Sequence, residues 1–508
     1  MRTTTVLLCL AAAAPFVPAA WQIASGGVPE ILFTGDGAAL ELRVLHAARG
    51  IQLLGPYSQW GWSHPGPAYF YLALPFYELL DHRGPALNVF ALTINVFTAI
   101  GLVLTVRRLF DAAVALAAAA LVTVFVLVGA PFLPANEWNP ILPMLPLALL
   151  TLLTTRIAIG QSEALPAAVL LASLIVQTHA GYGAEIAALA LIAVVARRGL
   201  PAVRRGVWLA AAVVLGVCWA FPIYEAVTTR PGNIQKLIAF FAPGNLGEQG
   251  WSAAWRSVHE QLLVMPEALA RTLGLSSDAT GAAATVLVPI QIAALTAALV
   301  AAARRRDRPL TTLSAIVLVQ IMVAVVAIRA VRGDVLFYLV AWISVLGPLA
   351  WIVFAAWLSS WLQPAARRPF LQIAPGICSV AVIVLALRVS PPRPPVFREP
   401  DPAAESLARQ VDEFLDSQKG ARPVVRIRTR DTWPTAAAVV LHLYKRRVPI
   451  AVDPSWEFLF GRPLTALPGA QPELLVGDQA FHLEAGSERH LRLIGSGGGV
   501  YVYWDARE

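Results

Sequence analysis

"PALNVFALTINVFTAIGLVLTVRRLFDAAVALAAAALVTVFVLVGA", residues 85–130, sets the class of the molecule. Two long apolar runs flank one short charged break, made of Arg107, Arg108 and Asp111. An α-helix needs about 20 apolar residues to cross the hydrocarbon core of a bilayer, where it satisfies its own backbone polar groups. Each run meets that length, and the break between them has room only for a tight turn.

The same alternation repeats outward in both directions. The 508-residue chain is 57% hydrophobic and only 14% charged, with a mean hydropathy of +0.64. A soluble chain of this length would surround its core with far more Lys, Glu and Asp. The expectation is an α-helical polytopic membrane protein of about eleven spans. They fall near 4–22, 85–105, 112–130, 140–156, 164–182, 184–196, 207–226, 281–302, 310–329, 335–357 and 370–388.

The arginines give the expected orientation. Arg2 precedes the first span. Clusters then follow every second span at Arg107–Arg108, Arg156, Arg197–Arg198 with Arg204–Arg205, Arg304–Arg306 with Arg308, and Arg367–Arg368. The positive-inside rule makes that side cytoplasmic, as in a multi-pass protein of the plasma membrane with a cytoplasmic N-terminus. The first segment, "MRTTTVLLCLAAAAPFVPAA", also reads as a signal peptide. Either reading leaves the loop that follows outside. The formal net charge of +8 comes from these short clusters, not from a basic face, so nucleic acid is not the expected partner. Cys9, Cys218 and Cys378 all lie in apolar segments without a CxxC, which speaks against disulfide and zinc frameworks.

Four pieces are then extracytoplasmic: 24–84, 131–139, 227–280 and the tail from 389. The expected domains are a membrane-embedded region over 1–390, a proline-rich linker over 391–400 ("SPPRPPVF" covers 390–397), and an extracytoplasmic α/β domain over 401–508. In that domain "VVRIRT" (424–429), "VPIAVD", "ELLVG", "HLRLI" and "GVYVYW" read as strands, and "TAAAVVLHLYKRR" (435–447) as an amphipathic helix. "GSGGGV" (495–500) lacks the helix and Lys-Ser/Thr of a phosphate loop and reads as a hairpin turn.

Candidate functional residues lie in the outer loops. Asp36 opens the first of them, where "GDGAALEL" places it at a helix N-cap with the helix running through Arg49. Glu41 is the next acid, followed by the aromatic, proline-rich stretch around His64 and Tyr69. "PFLPANEWNP" carries Glu137 beside Trp138, a residue that also suits interfacial anchoring. "QTHAGYGAE" sets Gln177, His179 and Glu185 at the end of the fifth span, where polar groups are rare unless they face a cavity or a partner. Trp251, Trp255, Val258, Leu262 and Leu263 recur at helical spacing, as in a helix lying flat in the interface or a lid. Arg329 and Arg332 sit outside against the charge rule, with Tyr338 one turn on. They suit either a lipid phosphate or a local pair with Asp334.

These motifs resemble the GT-C superfamily of polytopic glycosyltransferases, which includes protein O-mannosyltransferases and lipid A aminoarabinose transferases. The likeness rests on Gly35-Asp36, "HPGPAYFYLALP" (64–75), "NEWNP" (136–140), "QTHAGY" (177–182) and the helical 227–280 loop. It covers roughly residues 1–390. Many relatives carry adjacent acids in the first loop, whereas Gly37 follows Asp36 here.

The resemblance implies transfer of a sugar from a polyprenyl-phosphate donor to a glycan, lipid or protein acceptor at the outer face. Asp36 would be the general base, with Glu41 and Glu137 as further catalytic acids. His64, Tyr69, His179, Arg332 and Tyr338 would bind the donor phosphate. The metal is unknown: a divalent cation is compatible with these residues and not required by them. Two other classes remain: a transporter or flippase of lipid-linked sugars, and a non-catalytic cell-envelope scaffold. A transporter would place ionisable groups near the bilayer midplane, where the apolar spans hold almost none.

Overall fold

The computed structural model describes residues 2–25, 33–242, 244–275, 277–361, 401–418, 420–466 and 471–506. Contacts divide the chain into two units, one of residues 1–25 with 89–396, the other of 26–88 with 397–508. Each has its own apolar core.

The first unit is a helical bundle. Among the described residues, seven helices are long and apolar enough to cross a membrane: Thr3–Ser25, Pro85–Leu109, Ala112–Gly129, Arg205–Thr228, Thr285–Arg304, Arg308–Arg329 and Phe337–Trp361. The expected segments at 140–156, 164–182 and 184–196 form shorter apolar helices, Met144–Ala158, Ser162–Thr178 and Ala180–Ala196. The last expected span, 370–388, and the linker at 391–400 lie outside the described residues. Helix breaks follow local chemistry. Asp111 caps the Ala112 helix by accepting from Ala113 N and Val114 N, each at 2.9 Å, and Asp307 caps the Arg308 helix through Leu310 N at 3.1 Å.

The Trp251–Thr272 helix corrects one expectation. Val258, Leu262, Met265 and Ala268 are fully buried in the bundle core, so its apolar face packs on protein rather than lying flat on lipid. Trp251 and Trp255 remain exposed.

The second unit is a five-stranded sheet with helices. The strands are β1 (Val424–Ile427), β2 (Ala451–Val452), β3 (Glu473–Gly477), β4 (Leu491–Gly497) and β5 (Val500–Asp505), in spatial order β2-β1-β3-β5-β4. β1 pairs parallel with β2 and β3, while β5 runs antiparallel to β3 and β4. Every strand stretch singled out in the sequence forms a strand. The turn from β4 to β5 is Gly498-Gly499, with φ of +59° and +79°, the doubly left-handed conformation that a two-residue hairpin demands. The Trp433–Lys445 helix connects β1 to β2 and buries Ala436 to Leu441 in the core. The core also takes in Phe33, Ala38, Ala39 and Leu42, so the Gly35–Ala48 helix belongs to this unit although it lies hundreds of residues away in sequence.

Candidate functional site

In the second unit, the Gly35–Ala48 helix starts two residues earlier than expected. Thr34 occupies the N-cap position and Asp36 lies in the first turn, which corrects the capping role read for Asp36. A carboxylate there is favoured by the helix dipole. Asp36 is half-buried and accepts a hydrogen bond from the Tyr57 hydroxyl. The Tyr57 ring lies 6.4 Å from that of Trp433 and 5.9 Å from that of Phe458. Gly35 sits at φ +55°, a backbone conformation that L side chains rarely adopt, and a Cβ added there would sit 3.4 Å from Trp433.

Glu41 is of another kind. It is fully buried, and its Oε1 accepts from the Tyr77 hydroxyl at 2.7 Å and from Lys445 Nζ at 2.9 Å. That is an interior ion pair, engaged on both sides. His64 is also buried, its backbone pinned by His64 N to Pro56 O at 2.8 Å and Gly55 N to His64 O at 3.1 Å. Its ring meets Trp62 edge-on at 5.4 Å. Tyr69 is 1% exposed and packs edge-on against Phe70 at 5.2 Å.

Arg43 and His46, on the same helix, were not singled out in the sequence. Arg43 donates to the carbonyls of Phe458 (2.9 Å) and Leu459 (3.4 Å). Burial brings its guanidinium down to about 10, which leaves it charged at neutral pH. His46 is buried edge-on to Tyr444 at 5.3 Å. Burial, then Arg43 and Arg49, hold its imidazole down at about 3.

In the first unit, three of the sequence motifs meet. Asn139 Nδ2 donates to Thr178 O at 3.2 Å, and the Tyr182 hydroxyl donates to Pro140 O at 2.8 Å, tying "NEWNP" to "QTHAGY". Trp138 lies 5.1 Å from Tyr338, and Tyr182 lies 5.8 Å from Trp342, which brings in the start of the Phe337–Trp361 span. Glu137 is 1% exposed and is presented by a turn in which Asn136 Oδ1 accepts from Trp138 N at 2.9 Å. His179 is buried edge-on to Tyr182 at 5.9 Å. Gly181 makes that ring position available, because a Cβ there would come within 2.7 Å of the imidazole.

Arg329 and Arg332 separate in role. Arg329 donates to Gln249 O at 3.1 Å and lies 4.0 Å over the Trp251 ring. Gly247 N and Gln249 N return bonds to Ala330 O and Arg329 O, each at 3.0 Å, so Arg329 belongs to a clasp between two loops. Arg332 is exposed, 6.0 Å from the Phe240 ring centroid. Among the described residues, no three His, Cys, Asp or Glu side chains gather as metal ligands.

No protein-family model and no curated protein matches this sequence. Solved structures do. The crystal structure of ArnT from Cupriavidus metallidurans bound to undecaprenyl phosphate aligns at a TM-score of 0.56 and 14% identity, over 98% of this chain and 97% of that one. Its apo form aligns at 0.54 and 14%, over 96% and 97%. The chain has the fold of ArnT. The oligosaccharyltransferase of Archaeoglobus fulgidus, solved with zinc and sulfate, aligns over 95% of this chain and 68% of that one at 13% identity. The TM-score of that alignment is 0.47.

On this fold the three acids differ in setting. Asp36 is half-buried at a helix N-terminus, Glu41 is closed in an ion pair, and Glu137 is buried in a loop cross-linked to two neighbours. The residues the sequence did not reveal, Tyr57, Lys445 and Trp433, act through partners far away along the chain.

Proposed function

We propose that this protein is a membrane glycosyltransferase. It moves a hexose or pentose from a polyprenyl-phosphate donor to a hydroxyl of a glycan, lipid or protein acceptor at the outer face of the plasma membrane. Residues 24–84 and the tail from 389 are extracytoplasmic in this reading, and the N-terminus is cytoplasmic. The observation that carries it is the fold likeness along nearly the whole of both chains to a protein solved with undecaprenyl phosphate. Fold alone is an analogy. The chemistry rests on the residues.

Asp36 serves as general base. It takes the acceptor O–H proton as that oxygen bonds to the anomeric carbon, and the bond from that carbon to the phosphate oxygen breaks. Polyprenyl phosphate leaves with the electron pair. The hydrogen bond from Tyr57 holds the carboxylate in place. Arg332 and His179, with His64, Tyr69 and Tyr338, offset the phosphate charge. Glu137 and Glu41 are the remaining acid candidates, Glu41 the weaker because its charge is already paired with Lys445.

Purified protein in nanodiscs, given a panel of polyprenyl-phosphate sugars, should liberate polyprenyl phosphate. Failure on every donor of the panel refutes the reading. One observation favours transport instead: Glu185, Gln177 and Gln320 are fully buried in the apolar bundle, where intramembrane ionisable groups commonly mark transport pathways. Flipping of a labelled lipid-linked sugar by proteoliposomes, without sugar transfer, would favour that reading.

A further inference from the structure

The second unit holds a row of aromatic rings that the reaction above does not use. Trp433, Tyr57, Phe458 and Trp456 follow one another at centroid separations of 6.4, 5.9 and 5.6 Å, the last pair stacked. All four are half-buried and packed against the core. We propose that this row is a binding platform for the sugar rings of a glycan acceptor, with Asp36 at its end. The proposal rests on the transferase reading and narrows its acceptor to a glycan.

Three observations support it. The first is position in the sheet. β1 is followed in the chain by β2 on one side of it, while β3 lies on its other side, so the strand order reverses there. In open α/β sheets, ligands bind beyond the carboxyl ends of the parallel strands at such a point. Trp433 begins the helix after the carboxyl end of β1, and Trp456 and Phe458 follow the carboxyl end of β2.

The second is placement against the carboxylate. Tyr57 donates to Asp36 and Trp433 packs on Gly35, so two rings of the row flank the residue proposed to accept the acceptor proton. Arg43 fixes the other end by holding the carbonyls of Phe458 and Leu459. The third is the polar pattern. Glu457 stands between Trp456 and Phe458, paired with Arg462 at 3.4 Å, and Asp453 accepts from the Ser455 hydroxyl at 2.6 Å. Carboxylates set among rings suit a pyranose, whose C–H face meets the electron-rich ring face while its hydroxyls reach oxygen acceptors.

The test uses the full chain in nanodiscs and end-labelled mannohexaose, cellohexaose and chitohexaose, read by fluorescence anisotropy. At least one should bind. Trp456→Ala and, as a milder change, Trp433→Phe should weaken it roughly three- to tenfold, with thermal unfolding confirming that each variant is folded. Binding by none of the three, or binding equal to the parent in both folded variants, overturns the platform. So does strong quenching of the parent by brominated lipid that Trp456→Ala relieves, which would assign the row to the membrane. Release of polyprenyl phosphate to water by the parent separates the two readings: release without oligosaccharide binding leaves the transferase and removes the platform, and binding without release does the reverse.

Discussion

At the scale of single residues, substitution separates the acids. Asp36→Asn keeps an oxygen that can accept from Tyr57 and leaves the Gly35–Ala48 helix with its Thr34 cap, so folding should be unchanged. Sugar transfer should fall roughly 10²- to 10⁴-fold, since the proton acceptor is gone. Parent-like transfer by the folded variant would move the base to Glu137. Glu41 should respond in the opposite way. Glu41→Gln leaves Lys445 buried without its counter-charge, and breaking a buried pair from one side costs about 3–5 kcal/mol. Melting should drop sharply while turnover per folded molecule stays near the parent. A stable but inactive Glu41→Gln protein would reverse that assignment. His46 supplies a pH dependence. Its folded value of about 3 lies below the unfolded value near 6.5, so between the two only the unfolded chain binds the proton. Stability therefore falls as pH drops through that window, by at most about 1.4 kcal/mol per unit, and is unaffected by His46 above it. His46→Phe should flatten the slope of thermal unfolding from about pH 7 down to about pH 4. An unchanged slope would assign the acid sensitivity to other groups.

At the scale of elements, the "QTHAGY" turn offers the clearest prediction. Gly181→Ala puts a Cβ within 2.7 Å of the His179 ring, so the imidazole must rotate away. If His179 binds the donor phosphate, donor affinity should weaken by roughly tenfold, the worth of one lost charge-assisted contact, while His179→Ala adds little on top. Additive losses would mean that Gly181 acts elsewhere. Much at this scale was legible in the sequence. Strands such as Val424–Ile427 and Val500–Asp505 show as β-branched and aromatic runs between turn residues, and Gly498-Gly499 shows as a hairpin because glycine alone adopts that turn freely. Hydropathy put the spans at about eleven; among the described residues seven helices are long and apolar enough to cross a membrane, and three of the expected segments form shorter apolar helices. Nearly every residue of Met144–Ala158 is buried inside the bundle, so its apolar face meets helical neighbours. The apolar face of the Trp251–Thr272 helix likewise packs on protein. The acids and loops of the proposed site show in the sequence, but their partners do not. Glu41 meets Lys445 across 404 positions, and no local pattern marks such a pair.

At the scale of the whole molecule, the arrangement along the chain is what makes topology testable. Residues 26–88 share a core with residues 397–508, so the two stretches must lie on the same side of the membrane. In the proposed topology that side is outside, opposite Arg304–Arg306 and Arg308, which flank the short turn between the Thr285–Arg304 and Arg308–Arg329 helices. Gly420 stands exposed in the second unit, and Asp307 caps the second of those helices. In a background without the native cysteines, a single cysteine at position 420 should react in intact cells with a membrane-impermeant maleimide. One at position 307 should react only after the cells are opened. Moving the probe to the exposed Trp60 gives a second reading of the same unit and should match position 420. Labelling at 307 but not at 420 inverts the protein and puts Asp36 on the cytoplasmic side. Different outcomes at 60 and 420 would contradict the shared core itself, a stronger failure, since no orientation of one folded unit can place its two halves across a bilayer.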